Sequence, residues 1–360
     1  MRDIIIEVCS RKGEDGLKTW NDIRLHLNDV LGKDNHTPKT YQQVWKEHLE
    51  VTHSQSILDD LQKATYRYQD QRRVYNAKLK TDSRFEALLE VVENGIKELE
   101  PIVLPKVIRR KGVNKGVVNI NDWHCGAKFK NSLGEYNFEI LKQYVAQYLD
   151  NVKDNIERYN VDEVLILNLG DMIDGHIHVS TRIESEFNTA IQTILVAEVI
   201  ANFIIGIYET GVKINFGCVL DNHSRIIGNY KDSLEEESFG VIIEHMVFLR
   251  LNEFDIEWVH NDIDPNIGFI HFAGRNLAWV HGHLETPKSV TDDMAKMIGI
   301  QIDEVFGGHR HHKLSVDGFT QCPAMVPPNG YAYNKRLVSK YGQLMKIYAG
   351  SQEIELVTYF

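Results

Sequence analysis

Five short polar clusters in this 360-residue chain are made of residue types that coordinate metals. In chain order they are Asp122-Trp123-His124, Gly170-Asp171-Met172-Ile173-Asp174, Asn222-His223, His281-Gly282-His283 and Gly307-Gly308-His309-Arg310-His311-His312. Carboxylate, imidazole and amide donors together suit borderline divalent ions such as Mn, Fe, Co, Ni or Zn, whereas Mg and Ca prefer all-oxygen shells and structural Zn prefers thiolates. The four cysteines, Cys9, Cys125, Cys218 and Cys322, lie far apart with no C-x-x-C pair. Reduced thiols are expected, with neither a disulfide framework nor a zinc knuckle. Sixteen histidines make chance clusters conceivable, but chance does not supply the ligand types, their order and their placement together.

The clusters can act as one site only if the fold brings them to one place. After Pro105 the sequence reads as short apolar strands, at 116–121, 163–169, 213–220, 276–281 and 303–307, with helices near 137–152, 186–209 and 233–251. These are lengths typical of crossover connections in α/β folds. Each cluster follows the end of a strand, and strand ends are where open α/β sheets gather successive loops into one crevice. Residues 312–326 and 342–360 read as further strands separated by a Pro/Gly-rich loop.

The ordered set Asp-x-His, Gly-Asp-x-x-Asp, Asn-His, His and Gly-His-x-His resembles the calcineurin-like metallophosphoesterase superfamily over roughly residues 116–312. Within that superfamily the chain is similar to the DNA-repair exonuclease branch and to phage-encoded members. The resemblance implies a four-layered α/β/β/α sandwich holding two divalent ions, with Mn expected and Fe, Zn, Co or Ni as alternatives. Asp122, His124, Asp171 and His311 would hold one ion; Asp171, Asn222, His281 and His309 would hold the other, with Asp171 bridging. The bridge is physically sensible, because two cations about 3.5–4 Å apart repel unless an anion lies between them. A water activated by both ions would then attack phosphorus in line, with His223 free of metal to protonate the leaving oxygen. Asp174 is expected to orient a ligand or loop, and His283 is an alternative to His281. Arg225 and Arg310 are candidates to clamp a phosphate or to pair with a site carboxylate. His176 and His178 are either substrate contacts or plain loop residues. Two features depart from the family pattern. The third motif, Leu220-Asp221-Asn222-His223-Ser224-Arg225, lacks its usual glycine and following acid, so Asp221 is expected to tolerate the turn backbone. Trp123 is bulky, and either walls the pocket or stacks on a base.

Composition bounds the rest. Hydrophobic residues at 43% and charged residues at 25% are those of an ordered globular chain. No window approaches the roughly 18 consecutive apolar residues of a membrane span, and the start MRDIIIEVCSRKGED has too short an apolar run for a signal peptide. A cytoplasmic protein with no membrane partner is expected. The net charge of −11 argues against coating DNA by positive potential alone. Residues 63–84 are nonetheless locally basic, with Lys63, Arg67, Arg72, Arg73, Lys78, Lys80 and Arg84 against Asp70 and Asp82. This run is either a phosphate-binding face or a solvated helix surface.

Ahead of it, Leu17, Trp20, Ile23, Leu27, Val30 and Leu31 predict a helix ending at Gly32. Thr37 and Pro38 open a second helix with an apolar stripe of Tyr41, Val44, Trp45 and Leu49. Two short helices across a polar turn read as helix-turn-helix-like, with Lys39, Gln42, Gln43 and Lys46 as candidate DNA contacts. Most helical hairpins, however, bind no DNA. Helices are predicted at 54–80 and 83–99. The expected division is 1–53 helix-turn-helix-like domain, 54–105 helical arm and linker, and 106–360 catalytic domain. The leading functional expectation is a DNA nuclease. Its alternatives are a phosphatase or phosphodiesterase acting on small nucleotides or phosphoproteins, and a DNA-binding regulator with a dormant hydrolase domain, which the intact ligand set disfavours. A homodimer through the arm is open, with no strict heptad to argue it.

Overall fold

Ile5, Val8 and Cys9 recur at helical spacing and are the buried residues of α1 (Arg2–Ser10), an element absent from the sequence expectations. They pack with Leu17, with Ile23 and Leu27 of α2 (Trp20–Leu31), and with Tyr41 near the start of α3 (Pro38–Lys97). Thr19 caps α2 in a reciprocal box with Asp22, and Gly32 ends it in a left-handed conformation at φ 62°. The Tyr41 hydroxyl donates to Asn28 Oδ1 at 2.7 Å, so this buried hydroxyl is satisfied.

The computed structural model describes residues 1–32, 36–97, 102–177, 183–229 and 237–360. The chain divides into two units, Met1–Arg84 and Phe85–Phe360. The helices expected at 54–80 and 83–99 are instead one with the helix that begins at Pro38, running unbroken to Lys97. No glycine or proline falls between Pro38 and Gly95, so nothing in the chain stops the helix. The short second helix of a helix-turn-helix is therefore replaced by the first turns of a 60-residue one.

In the larger unit a six-stranded sheet has the order β13-β12-β1-β4-β5-β6. It is built from β1 (Asn114–Ile120), β4 (Val161–Asn168), β5 (Lys213–Cys218), β6 (Ile256–Val259), β12 (Gly342–Ala349) and β13 (Gln352–Tyr359). The β1, β4, β5 and β6 strands are parallel, and β12 and β13 add an antiparallel edge. A five-stranded sheet, ordered β10-β11-β9-β8-β7, faces it. Its strands are β7 (Ile267–Phe272), β8 (Arg275–Val280), β9 (Glu304–Gly307), β10 (Leu314–Val316) and β11 (Phe319–Gln321). A small hairpin of β2 (Phe129–Asn131) and β3 (Gly134–Tyr136) forms a separate two-stranded sheet.

Strand alternation sorts the side chains into layers. Val164 and Ile166 of β4 enter a core with Leu141 and Val145 of α4 (Phe138–Arg158), Ile200 and Ile204 of α5 (Thr189–Tyr208), and Ile243 of α6 (Phe239–Leu251). Leu165 and Leu167 point the other way and meet Leu277, Trp279 and Phe306 of the second sheet. That sheet's outer face packs Val305 and Phe319 against Val290 and Met294 of α7 (Val290–Ile298). The result is the expected α/β/β/α sandwich. Its α5 helix is more apolar than the sequence reading allowed. By length and composition it is long enough to cross a membrane, with a mean hydropathy of 2.0, but it is a core helix here, 56% buried in that window.

One polar cluster joins the two sheets. Lys346 Nζ lies 2.7 Å and 2.8 Å from the two Glu304 oxygens and 2.8 Å from Glu353, while the Tyr348 hydroxyl donates to Glu304 at 2.7 Å. Burial alone would lower the Lys346 pKa, but Glu304 and Glu353 raise it above the usual lysine value. Lys346→Met is expected to cost about 3 kcal/mol or more, because it strands the buried Glu304 carboxylate. Urea unfolding checks this, and adding Glu304→Gln to that variant should recover part of the loss.

Candidate metal centre

The carboxyl ends of the parallel strands β1, β4, β5, β8 and β9 deliver the five clusters. Main-chain bonds fasten the first loop to the second, with Asp122 N donating to Gly170 O and His124 N to Asp171 O, both at 3.0 Å. Gly308 N donates to His281 O at 2.8 Å, joining the fourth loop to the fifth. Among the described residues, nine non-glycine residues have positive φ. Five of them are Asp122 (50°), His124 (45°), Asp171 (53°), His309 (66°) and His311 (58°). Such backbone is costly for residues with a Cβ, and its concentration at one site marks a geometry held for function.

Asp122, His124, Asp171 and His311 form one group whose ligand atoms all lie within 4.8 Å of one another, and Asp171, His281 and His309 form a second. Asp171 belongs to both, and it is essentially fully buried at 1% exposure. His281 Nε2 lies 3.2 Å from Asp171 Oδ2 and 2.8 Å from Asn222 Oδ1, which puts Asn222 with the second group. His311 Nε2 is 3.4 Å from Asp122 Oδ1, and His309 N donates to both Asp122 oxygens at 3.2 Å and 3.1 Å. A third group, His124, Asp174 and His223, borders the first.

These donors fit divalent cations on three observations. His281 Nδ1 lies 2.7 Å from the Leu169 carbonyl and donates to it, which aims the Nε2 side at two oxygen acceptors. The buried atoms His124 Nε2 and His309 Nδ1 have no hydrogen-bond partner. The protonation tendencies also call for positive charge at the centre. Burial would raise the Asp171 carboxyl, but His281 and His223 beside it hold it well below the usual carboxylate range. Burial would likewise lower His281, yet Asp171 drives it up to about 10. A divalent cation among the same acceptors meets this demand with more charge than one imidazole proton.

The other candidates take distinct places. His223 Nδ1 donates to the Asp174 carbonyl at 2.8 Å, and its Nε2 stands 4.0 Å from Asp171 Oδ2. Burial lowers its pKa and Asp171 more than reverses this, leaving it raised. The Asp174 carboxylate lies 3.5 Å from His124 Nδ1, an orienting position. His283 makes ring contacts with His281 and His309 at 5.3 Å and 6.0 Å, its Nδ1 has no partner, and burial pushes it down to about 3. His281, not His283, is therefore the one that reaches Asp171. Arg225 Nε donates to Asn222 O at 3.0 Å, and Arg310 donates to Glu285 O at 3.0 Å. His176 contacts Ile226 O at 3.0 Å, and His178 lies outside the described residues. Lys39, Gln43 and Lys46 are exposed on the first turns of α3, with Gln42 half-buried; Gln43 donates to Glu47 at 3.0 Å, and Lys46 lies 3.9 Å from Glu50. Lys63, Arg67, Arg72 and Arg73 are exposed farther along the helix, and the side chains of Lys78, Lys80 and Arg84 lie outside the described residues.

Two expectations are corrected. Trp123 neither walls a pocket nor offers a stacking face: it is fully buried, edge-on to Phe203, with its Nε1–H donating to Gln343 at 3.1 Å. The third loop does not turn through left-handed backbone at Asp221, which is not among the positive-φ residues. Instead the Asp221 carboxylate accepts from Ser224 N at 2.7 Å and Ser224 Oγ at 2.9 Å, and so closes the loop that presents Asn222 and His223.

The residues that hold these loops from behind lie outside the five sequence clusters. Gln192 of α5 is buried and accepts from Gly175 N at 3.0 Å; its signal is an amide in the first turn of a predominantly apolar helix. Asn121 donates to Asp122 Oδ2 at 2.6 Å. Gly175 has φ +71°, and a Cβ there would come 2.2 Å from His223 O. Gly175→Ala is expected to displace the His223 loop and to cost about 1–3 kcal/mol of stability, which urea unfolding checks.

No protein-family model matches the chain. It is 22% identical over 377 residues to the SPbeta prophage-derived uncharacterized protein YonJ of Bacillus subtilis (strain 168), covering 95% of this chain and 92% of that protein. Among solved structures, Vps29 of Chaetomium thermophilum is similar at 7% identity and a TM-score of 0.30, covering 68% of this chain and 95% of that one. The calcineurin-like phosphoesterase YfkN of Bacillus subtilis is similar at 9% identity and a TM-score of 0.28, covering 69% and 91%. Four layers carry the five clusters, in this order, to one strand-end crevice where two donor groups share Asp171.

Proposed function

We propose that the chain is a two-metal phosphoesterase that hydrolyses nucleic-acid phosphodiesters, with DNA as the leading substrate and Mn as the working metal. The observation that carries this reading is the shared, buried Asp171 carboxylate between two donor groups. Asp122, His124, Asp171 and His311 would hold one ion, and Asp171, Asn222, His281 and His309 the other. Bound there, a pair of divalent cations would supply Lewis acidity to the phosphate and to the attacking water. His223 holds a proton at Nε2 for the leaving oxygen, while its Nδ1–H bond to the Asp174 carbonyl fixes the ring. Asp174 fixes the His124 imidazole. Arg225 and Arg310 flank the crevice as candidate phosphate contacts.

DNA rather than a small ester is favoured by the exposed cations of the first unit, Lys39 and Lys46 followed by Lys63, Arg67, Arg72 and Arg73 on one helix. Gln42 and Gln43 sit among them as candidate contacts. The acidic overall charge favours the rival, a phosphatase or phosphodiesterase for small nucleotides.

Mn-loaded protein should be offered single-stranded DNA, linear duplex, RNA, a cyclic nucleotide and a simple aryl phosphodiester. Degradation of DNA is expected. Turnover of the small esters with DNA left intact would transfer the assignment to the rival, and inertness toward all five would end the hydrolase reading.

A further inference from the structure

We propose that the cavity beside His124 and Asp174 is a nucleoside pocket, holding the base and sugar of the nucleotide whose phosphate sits at the metal centre. The inference deepens the phosphoesterase reading and rests on it. The cavity measures about 310 Å³, and its walls include His124, Asp174, Lys128, Phe129, Tyr331 and Asn334. Because His124 and Asp174 belong to the centre, a group attached to a phosphate held there extends directly into this space.

The walls are suited to a base. Phe129 of β2 and Tyr331 of α8 (Gly330–Lys335) are both lining rings, and base–aromatic stacking tolerates any base because each has a π-face. Tyr331 is 68% exposed, so core packing does not account for it. The Phe129 ring and the start of the helix that carries Tyr331 are both held in advance. Phe129 backs onto Tyr136 with centroids 6.0 Å apart, Asn131 Nδ2 donates to Pro328 O at 2.9 Å across the two walls, and Asn329 caps α8 by accepting from Ala332 N at 3.0 Å. Lys128 and the exposed Asn334 offer donors to a base edge or sugar.

Size and charge decide against other occupants. A volume of about 310 Å³ is at the small end of ligand pockets and admits one nucleoside, not a duplex. Lys128 is the one cation among the lining residues, which is too little for a phosphopeptide read by clustered arginines.

The test is calorimetric titration of the Mn-loaded full chain with two hydrolysis-resistant probes, thiophosphate and thymidine 5′-phosphorothioate. The nucleoside probe is expected to bind at least tenfold more tightly, Tyr331→Ala should erase most of that margin, and Tyr331→Phe should keep it. If thiophosphate binds and the nucleoside probe gains nothing, or if Tyr331→Ala leaves the margin intact, the pocket falls and the phosphoesterase reading stands. If neither probe binds, both fall. A phosphorothioate-linked dT8 that competes with the nucleoside probe places a chain end in the pocket. Failure of dT8 to compete, with the tenfold margin present, assigns the pocket to free nucleotides.

Discussion

Asp171→Asn should leave a folded protein that no longer holds its metal pair. The side chain is nearly isosteric, so packing around a residue of 1% exposure is kept. What is lost is the negative charge shared by the two donor groups. Removing one partner from a buried charge cluster costs about 3–5 kcal/mol, which corresponds to roughly a 10³-fold weaker metal affinity. Two measurements read this without any substrate. Added Mn should raise the melting temperature of the wild type, since a ligand at 100 times its Kd contributes about 2.7 kcal/mol, and should leave the variant where it was. Metal content after dialysis should fall from two ions per chain toward none. Chelation of the wild type should abolish hydrolysis reversibly, with Mn restoring it in the wild type and not in the variant. A variant that keeps two ions would remove Asp171 from the bridging position and, with it, the proposed centre.

How far the sequence foretold this site depended on which interactions were local. The five clusters could be read because each lies within a few residues and follows an apolar strand, so the order Asp122, Asp171, Asn222, His281, His309 survived translation into space. The layers were legible for the same reason, since β4 reads Val-Asp-Glu-Val-Leu-Ile-Leu-Asn and sits between two cores. Elements without a distinctive period were not. The α1 run Ile4-Ile5-Ile6 has no visible helical face until Val8 and Cys9 are seen to join Ile5 in one core. The β2–β3 hairpin has only three residues per strand, and its value to the site comes from Asn131 reaching Pro328, a contact 197 residues away in sequence. Trp123 could not be placed for the same reason, because its partner Gln343 is 220 residues away. The turn at Asp221 is different. The missing glycine was visible, but the Ser224 hydrogen bonds that make it unnecessary depend on side-chain direction, which composition does not encode.

His223→Asn should separate catalysis from metal binding. His223 lies outside the two donor groups that share Asp171, and its Nδ1 is already committed to the Asp174 carbonyl. Both ions should therefore stay bound, with the Mn-dependent gain in melting temperature unchanged. Turnover of a phosphodiester with an alkoxide leaving group should drop by about 10²–10⁴-fold, the usual contribution of a positioned proton donor. The decisive comparison is the leaving group. A p-nitrophenolate departs without needing a proton, so the same variant should lose far less activity toward a p-nitrophenyl ester than toward a dinucleotide. Equal losses on both would show that His223 does not protonate the leaving oxygen. Loss of an ion would instead put His223 in the third donor group with His124 and Asp174, whose ligand atoms also lie within 4.8 Å of one another. The geometry argues against that outcome, because a ring anchored at Nδ1 with Nε2 4.0 Å from Asp171 Oδ2 faces the centre from its rim.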